Sequence, residues 1–328
     1  VLSRAVSVAG MDALLRKESL VHGCGVAPII FEACLLPLLM ARGCDLCSQL
    51  DHVHVSVGGG YTAETAAASG GDKDLSSDFA KFLVDEYPDR PVAHLWYACR
   101  HGPSLLSSDA ESALEHARLG MKGCGGEKTS KTRSTSTSTS AFAKAAGPVV
   151  MAVVTAVCRL RLSDLLLISP HGNILSGEGT TAPGSARSKV LQEIVSHAAA
   201  GLSAIAACTA STWAAESKGA TGTASSMSPP PLLLVGMLQH ALRVCKAMAM
   251  VRRAAPGHHG WAVATSVLSS MPPAAATPSD ETIRDKLMSG ATLCAVEADI
   301  QRGNFKEARK RGSDFISGEC KGLVLAAT

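Results

Sequence analysis

The residue types that could do chemistry in this chain fall in a few short stretches. The first is Cys44-Asp45-Leu46-Cys47 followed by His52 and His54. A CxxC pair with a histidine shortly after it has the spacing of three ligands of a small zinc site, and His54 is within reach of the fourth position. A site of that type wants a further cysteine about five residues beyond the histidine, and Val57 stands there. Cys44 and Cys47 also continue the apolar helical spacing of Leu38 and Leu39, so no metal and no cofactor is assigned. Cys44, Cys47, His52 and His54 remain the best candidates for a metal. The second stretch, Gly123 to Thr129 (GCGGEKT), has the glycines and the lysine of a phosphate loop. It lacks the glycine directly before Lys128, and it follows a helical stretch where a phosphate loop follows a strand. The serine elbow GxSxG and the metal motif HExxH are absent, and no GxGxxG follows a strand. His258-His259-Gly260-Trp261, just after Pro256, reads as a surface turn. These absences point away from an enzyme. The third stretch is basic: Arg302, Lys306, Arg309 and Lys310, with Arg311 beside them. The four fall roughly on one side of a C-terminal helix and suit phosphate or an acidic partner, although a merely solvated helix face is the simpler reading. No aromatic interleaves with these charges, which counts against RNA.

The elements that position these residues are helical. From Ser76 to Lys122 three helices follow one another. Phe79, Phe82, Leu83 and Tyr87 recur at three- and four-residue spacing, the apolar face of the first. Pro88 ends that helix, because proline cannot continue the hydrogen-bond ladder. Pro91 is a favoured first-turn residue for the second, which carries Val92, Leu95, Trp96, Ala98 and Cys99. After Gly102-Pro103, Ser108-Asp109 caps the third. There Ala113, Ala117 and Gly120 form a stripe of small residues along which a neighbouring helix can approach closely.

Helix, Pro88-Asp89, helix with Ala98, turn, then helix with Ala113, Ala117 and Gly120 is similar to the tetratricopeptide repeat, whose period is about 34 residues. Near the C-terminus, Arg302-Gly303-Asn304-Phe305-Lys306-Glu307-Ala308 resembles the inter-helix turn and central alanine of the same family. The departures are an extra loop from Gly102 to Ser107, and Gly312 and Phe315 where other shapes are usual. The resemblance implies an all-α, TPR-like solenoid of stacked antiparallel hairpins. It also implies a non-enzymatic scaffold that binds a peptide or helix of a protein partner in its inner groove, within a larger complex. Carried onto this sequence, the groove positions are His94, Tyr97, Arg100 and His101, the small structural residues are Ala98, Ala113, Ala117, Gly120, Gly303 and Ala308, and Trp96 anchors neighbouring repeats. The rival expectation is an RNA- or ribosome-associated helical protein using the basic patch at Arg302, Lys306, Arg309 and Lys310.

Composition agrees with closely packed helices. Of 328 residues 46% are hydrophobic but only 4% aromatic, so alanine, leucine and valine make up the apolar mass. A net charge of +3 is too small to imply nucleic-acid binding by itself. The 11 cysteines are odd in number and lie in apolar helical patterns, as reduced buried thiols of an intracellular, cytoplasmic protein would. Organellar import is left open by Arg4, Arg16 and Lys17 among Ser, Ala and Val, against which stand Asp12 and Glu18. The chain begins at Val1, as a fragment or a processed form would. No apolar run reaches the ~18 residues a membrane helix needs.

In chain order, residues 1–122 are expected to form N-terminal helical repeats, with the TPR-like unit at 76–122. Residues 123–141 form a disordered low-complexity insertion, because GCGGEKTSKTRSTSTSTS has almost no apolar residue to offset its ordering entropy. Residues 142–270 form middle hairpins with Gly/Ser/Pro-rich loops: a helix from Phe142 to Leu167 broken near Pro148, then Ser188–Glu216, Leu232–Arg253 and Trp261–Leu268. Residues 271–328 hold a TPR-like pair, Thr282–Gln301 and Asn304–Ile316, capped by Ser279-Asp280-Glu281.

Overall fold

The computed structural model describes residues 26–31, 35, 39, 75–88, 90–100, 109–124, 136–169, 171–172, 184–207, 232–254, 257–270, 272 and 278–314. Among them every regular element is a helix, as the alanine- and leucine-rich composition led us to expect. The helices are α1 (Ala27–Ile30), α2 (Leu75–Glu86), α3 (Pro91–Arg100), α4 (Asp109–Gly123), α5 (Ser136–Ile168), α6 (Ala186–Ala206), α7 (Leu232–Arg253), α8 (His259–Leu268) and α9 (Pro278–Gln301). A further helix, α10, covers residues 305–314. From α2 to α9 each packs on its successor in the chain; α7 also meets α5 and α9, and α1 lies against α3, α5 and α9.

The prolines act as read: Pro88 follows the end of α2 and Pro91 opens α3. The small-residue stripe is a true seam. Ala98, Ala113 and Ala117 are fully buried, and a Cβ added at Gly120 would stand 3.1 Å from the Pro91 carbonyl oxygen and 3.5 Å from His94 Cβ. The α3 and α4 backbones come this close because nothing larger intervenes. Trp96 is buried as an anchor, but its ring meets Phe31 edge-on at a centroid distance of 5.7 Å.

Helix α5 is the centre of the molecule. Gly147 (φ 77°, ψ 165°) breaks it in front of Pro148. Beyond the break, Val149 to Ile168 is mostly apolar and largely buried, with Arg161, Ser163 and Asp164 buried among the apolar residues, the pattern of a helix enclosed by others. Helix α6 buries Leu191, Ile194, Ala198, Gly201 and Ile205. Val190, Val195 and Leu202 only flank that face. The seam runs through Gly201, where an added Cβ would meet Leu242 Cδ1 at 3.1 Å.

Three expected boundaries move. Gly123 and Cys124 close α4, with Cys124 N–H donating to the Gly120 carbonyl at 3.3 Å, and α5 already begins at Ser136. The polar run is therefore helical at both ends, since extending an existing helix needs no new nucleus; residues 125–135 lie outside the described residues. Helix α6 starts at Ala186, capped by Ser185 Oγ, which accepts from Ser188 N–H at 3.1 Å; residues 208–216 lie outside the described residues. Helix α9 starts at Pro278, which puts Ser279, Asp280 and Glu281 in its first turn and not before it. No helix among the described residues is long and apolar enough to cross a membrane.

Candidate functional site

The residues expected to line an inner groove are used within the fold. His94 is 6% exposed and wedged between α3 and α4. Its Nε2 donates to the Pro88 carbonyl at 2.7 Å, so in the neutral ring Nδ1 accepts a hydrogen bond from His116 Nδ1–H, 2.9 Å away. Tyr97 stands over His116 at a centroid distance of 4.1 Å, and its hydroxyl lies 3.2 Å from Ser112 Oγ. Both side chains thus join α3 to α4, His94 buried in the seam and Tyr97 half-buried at its edge. Arg100 ends α3 with its side chain outside the described residues, as His101 is altogether. Cys44, Cys47, His52 and His54 also lie outside them. No group of three or more metal-ligating side chains occurs among the described residues.

Burying α5 forces its polar side chains to find internal partners. Arg161 Nε donates to the Ala98 carbonyl at 2.7 Å, which ties α5 to α3. Asp164 is 1% exposed, with Oδ1 accepting from Cys245 Sγ at 3.4 Å and Oδ2 without a hydrogen-bond partner. Burial pushes its carboxyl up to about 7, against the pull of Arg161, Cys245, the Ala27 amide and Lys286. The end of α5 is held from the far side. Arg252 of α7 donates Nε to Glu297 Oε2 at 2.9 Å and Nη2 to Oε1 at 2.8 Å, and its Nη1 reaches the Leu167 and Gly172 carbonyls. None of these groups was picked out from sequence. Asp164 inside RLRLSDLLLI and Arg252 after a run of buried apolar residues were the available signals.

Polar pairs also stitch the outer helices. Arg118 of α4 meets Glu193 of α6 at 3.2 Å, and Arg159 of α5 meets His197 Nδ1 at 3.2 Å. Burial, countered in part by Glu193, holds the His197 imidazole below its ordinary pKa.

The basic patch faces outward. The turn between α9 and α10 carries Gly303 at φ 77°. There Arg302 lies over the Trp261 ring at 4.2 Å, and Trp261 Nε1 donates to Gln301 at 3.3 Å. Ala308 is 6% exposed and turns one side of α10 inward. Arg311 Nε lies 2.9 Å from Asp299 Oδ2, an ion pair without the alignment of a hydrogen bond, and 3.7 Å from Glu307. A cleft of about 300 Å³ between α8 and α9 is lined by Trp261, Thr265, Ser269, Asp299, Arg302 and Arg311. Lys306, Arg309 and Lys310 are exposed. One aromatic does adjoin these charges, contrary to the expectation from sequence: Phe305 is 59% exposed. No protein-family model matches this chain, and no curated protein or solved structure matches it.

Proposed function

We propose that this chain is a non-enzymatic helical scaffold, a TPR-like stack of helix pairs that holds a protein partner on its C-terminal face. The observation that carries the reading is the stripe of Lys306, Arg309 and Lys310, exposed, without an ion pair among the described residues and bordered by exposed Phe305. Some charged groups of the body join helices, as at Arg252–Glu297 and Arg118–Glu193. The sequential packing of α2 through α9 supports the solenoid part of the reading, as do the buried Ala98, Ala113 and Ala117. RNA on the same patch is the weaker reading. The nearby indole, Trp261, is 1% exposed beneath Arg302, which leaves exposed Phe305 alone beside the row for a base to stack on, where RNA surfaces use several rings.

The test is a photo-crosslinking amino acid placed at Phe305 in the full chain, in its native cells, with exposed Ser203 of α6 as the control position. A discrete protein adduct from position 305 and none from 203 is expected. A nuclease-sensitive adduct would transfer the reading to RNA, and no adduct from either position would end it.

A further inference from the structure

The C-terminal face carries enough detail to say what sits on it, on the reading that it docks a protein at all. We infer that the occupant is an acidic segment with one apolar anchor, its carboxylates on Lys306, Arg309 and Lys310 and its anchor against Phe305.

The helical wheel of α10 gives the arrangement. At about 100° per residue, Lys306, Arg309 and Lys310 share one stripe, and buried Ala308 lies on the opposite side. The stripe therefore points directly away from the body. Phe305 is one turn from Arg309 and flanks the stripe on one side. Glu307 and Arg311 flank it on the other, where they pair with each other and with Asp299. The acids of this region thus answer Arg311. Asp314, at the far end of α10, makes no ion pair among the described residues. What is left is a cationic row with no ion pair among the described residues, beside an exposed phenyl ring, a complement to carboxylates about one helical turn, roughly 5–6 Å, apart.

The surface is also held in shape before anything binds. Arg302 on Trp261 holds the turn that leads into α10, and Arg311 on Asp299 ties the second half of α10 to α9; Trp261 on Gln301 joins α8 to α9 beneath them. A partner then meets a row of charges on a fixed backbone and need not order the helix itself. Exposed ion pairs contribute little singly. Affinity on such a surface rests on several charges acting together and on one desolvated apolar contact, the role Phe305 can fill.

The experiment uses the full chain and fluorescence anisotropy. The probes are a labelled glutamate-rich peptide with a single leucine, its all-glutamate counterpart, a lysine-rich peptide and single-stranded oligouridine. The leucine-containing acidic peptide should bind best, and more weakly as salt is raised. Reversing the row (K306E/R309E/K310E) should cut its affinity by about tenfold or more. F305A should reduce it to that of the all-glutamate peptide and leave the all-glutamate peptide unchanged. Melting curves should match the parent for both variants, since these side chains are exposed. Equal binding of the two acidic peptides with no effect of F305A would remove the anchor. No binding of either acidic peptide, while position 305 still crosslinks to a protein, would overturn the acidic occupant and leave the docking reading intact. Oligouridine binding lost in the triple variant would overturn it in favour of RNA.

Discussion

Arg252 and Glu297 form a two-pronged ion pair inside the protein, with Nε–Oε2 at 2.9 Å and Nη2–Oε1 at 2.8 Å and side chains only 6% and 8% exposed. It joins α7 to α9, and the third guanidinium nitrogen binds the last carbonyls of α5 and its following turn. Burial lowers the basicity of Arg252, but the charge and hydrogen bonds of Glu297 outweigh it and the net shift is upward. Removing one partner strands a buried charge. Glu297→Ala should therefore destabilise the fold by about 3–5 kcal/mol, whereas R252M/E297L together should cost far less. Denaturant titration of the two singles and the double decides this. Additive single effects would mean the pair is not a unit.

The alanine seam predicts its own sensitivity. Ala113 is fully buried against α3, so Ala113→Leu should cost about 1–3 kcal/mol through overpacking. Gly120→Ala should also destabilise, because its new methyl would meet the Pro91 carbonyl oxygen at 3.1 Å. Thermal melts that do not move would show that α3 and α4 can separate freely.

Asp164 makes stability depend on pH, with a sign that can be worked out. Folded, the carboxyl keeps its proton up to about pH 7; unfolded, it releases it near 3.8. Below 3.8 both states are protonated and there is no penalty. Between those values the folded state binds the extra proton, so stability falls as pH rises through the window and stays low above it. Asp164→Asn should remove this slope and be more stable than the parent at pH 8 by roughly 1–4 kcal/mol. Denaturation midpoints of the two proteins across pH 4 to 8 test it; parallel curves would refute it.

At Gly147 the backbone is at φ 77°, ψ 165°, a region nearly closed to other residues. Gly147→Ala should cost about 1–3 kcal/mol. Pro148→Ala should cost less, because the break is held by the glycine. A straightened, equally stable helix in the alanine variant would contradict this.

Cys124 and Cys158 share a hydrogen bond that draws the Cys124 thiol down and, with burial, pushes the Cys158 thiol well up. Iodoacetamide should therefore label Cys124 before buried Cys158, Cys245 and Cys294, which react only on unfolding. In C158A the alkylation of Cys124 should need a higher pH. Mass spectrometry of labelled peptides reads both outcomes.

Local chemistry by itself determined the helices of this protein. Proline at 88 and 91, apolar residues at helical spacing, and alanines too small to hold helices apart act over a few residues and need no distant partner. The position of the basic row on α10 is local as well, since a helix repeats every 3.6 residues. Tertiary packing decided what the remaining polar residues do. His94 and Tyr97 look like groove residues along the chain, but His116 and Ser112 are brought against them only when α4 lies on α3. Asp164 takes its unusual proton affinity from the helices around it. Arg252 meets a glutamate 45 positions further along the chain. Desolvation and pairing depend on what surrounds a group in space, and the order of residues along a chain does not carry that information.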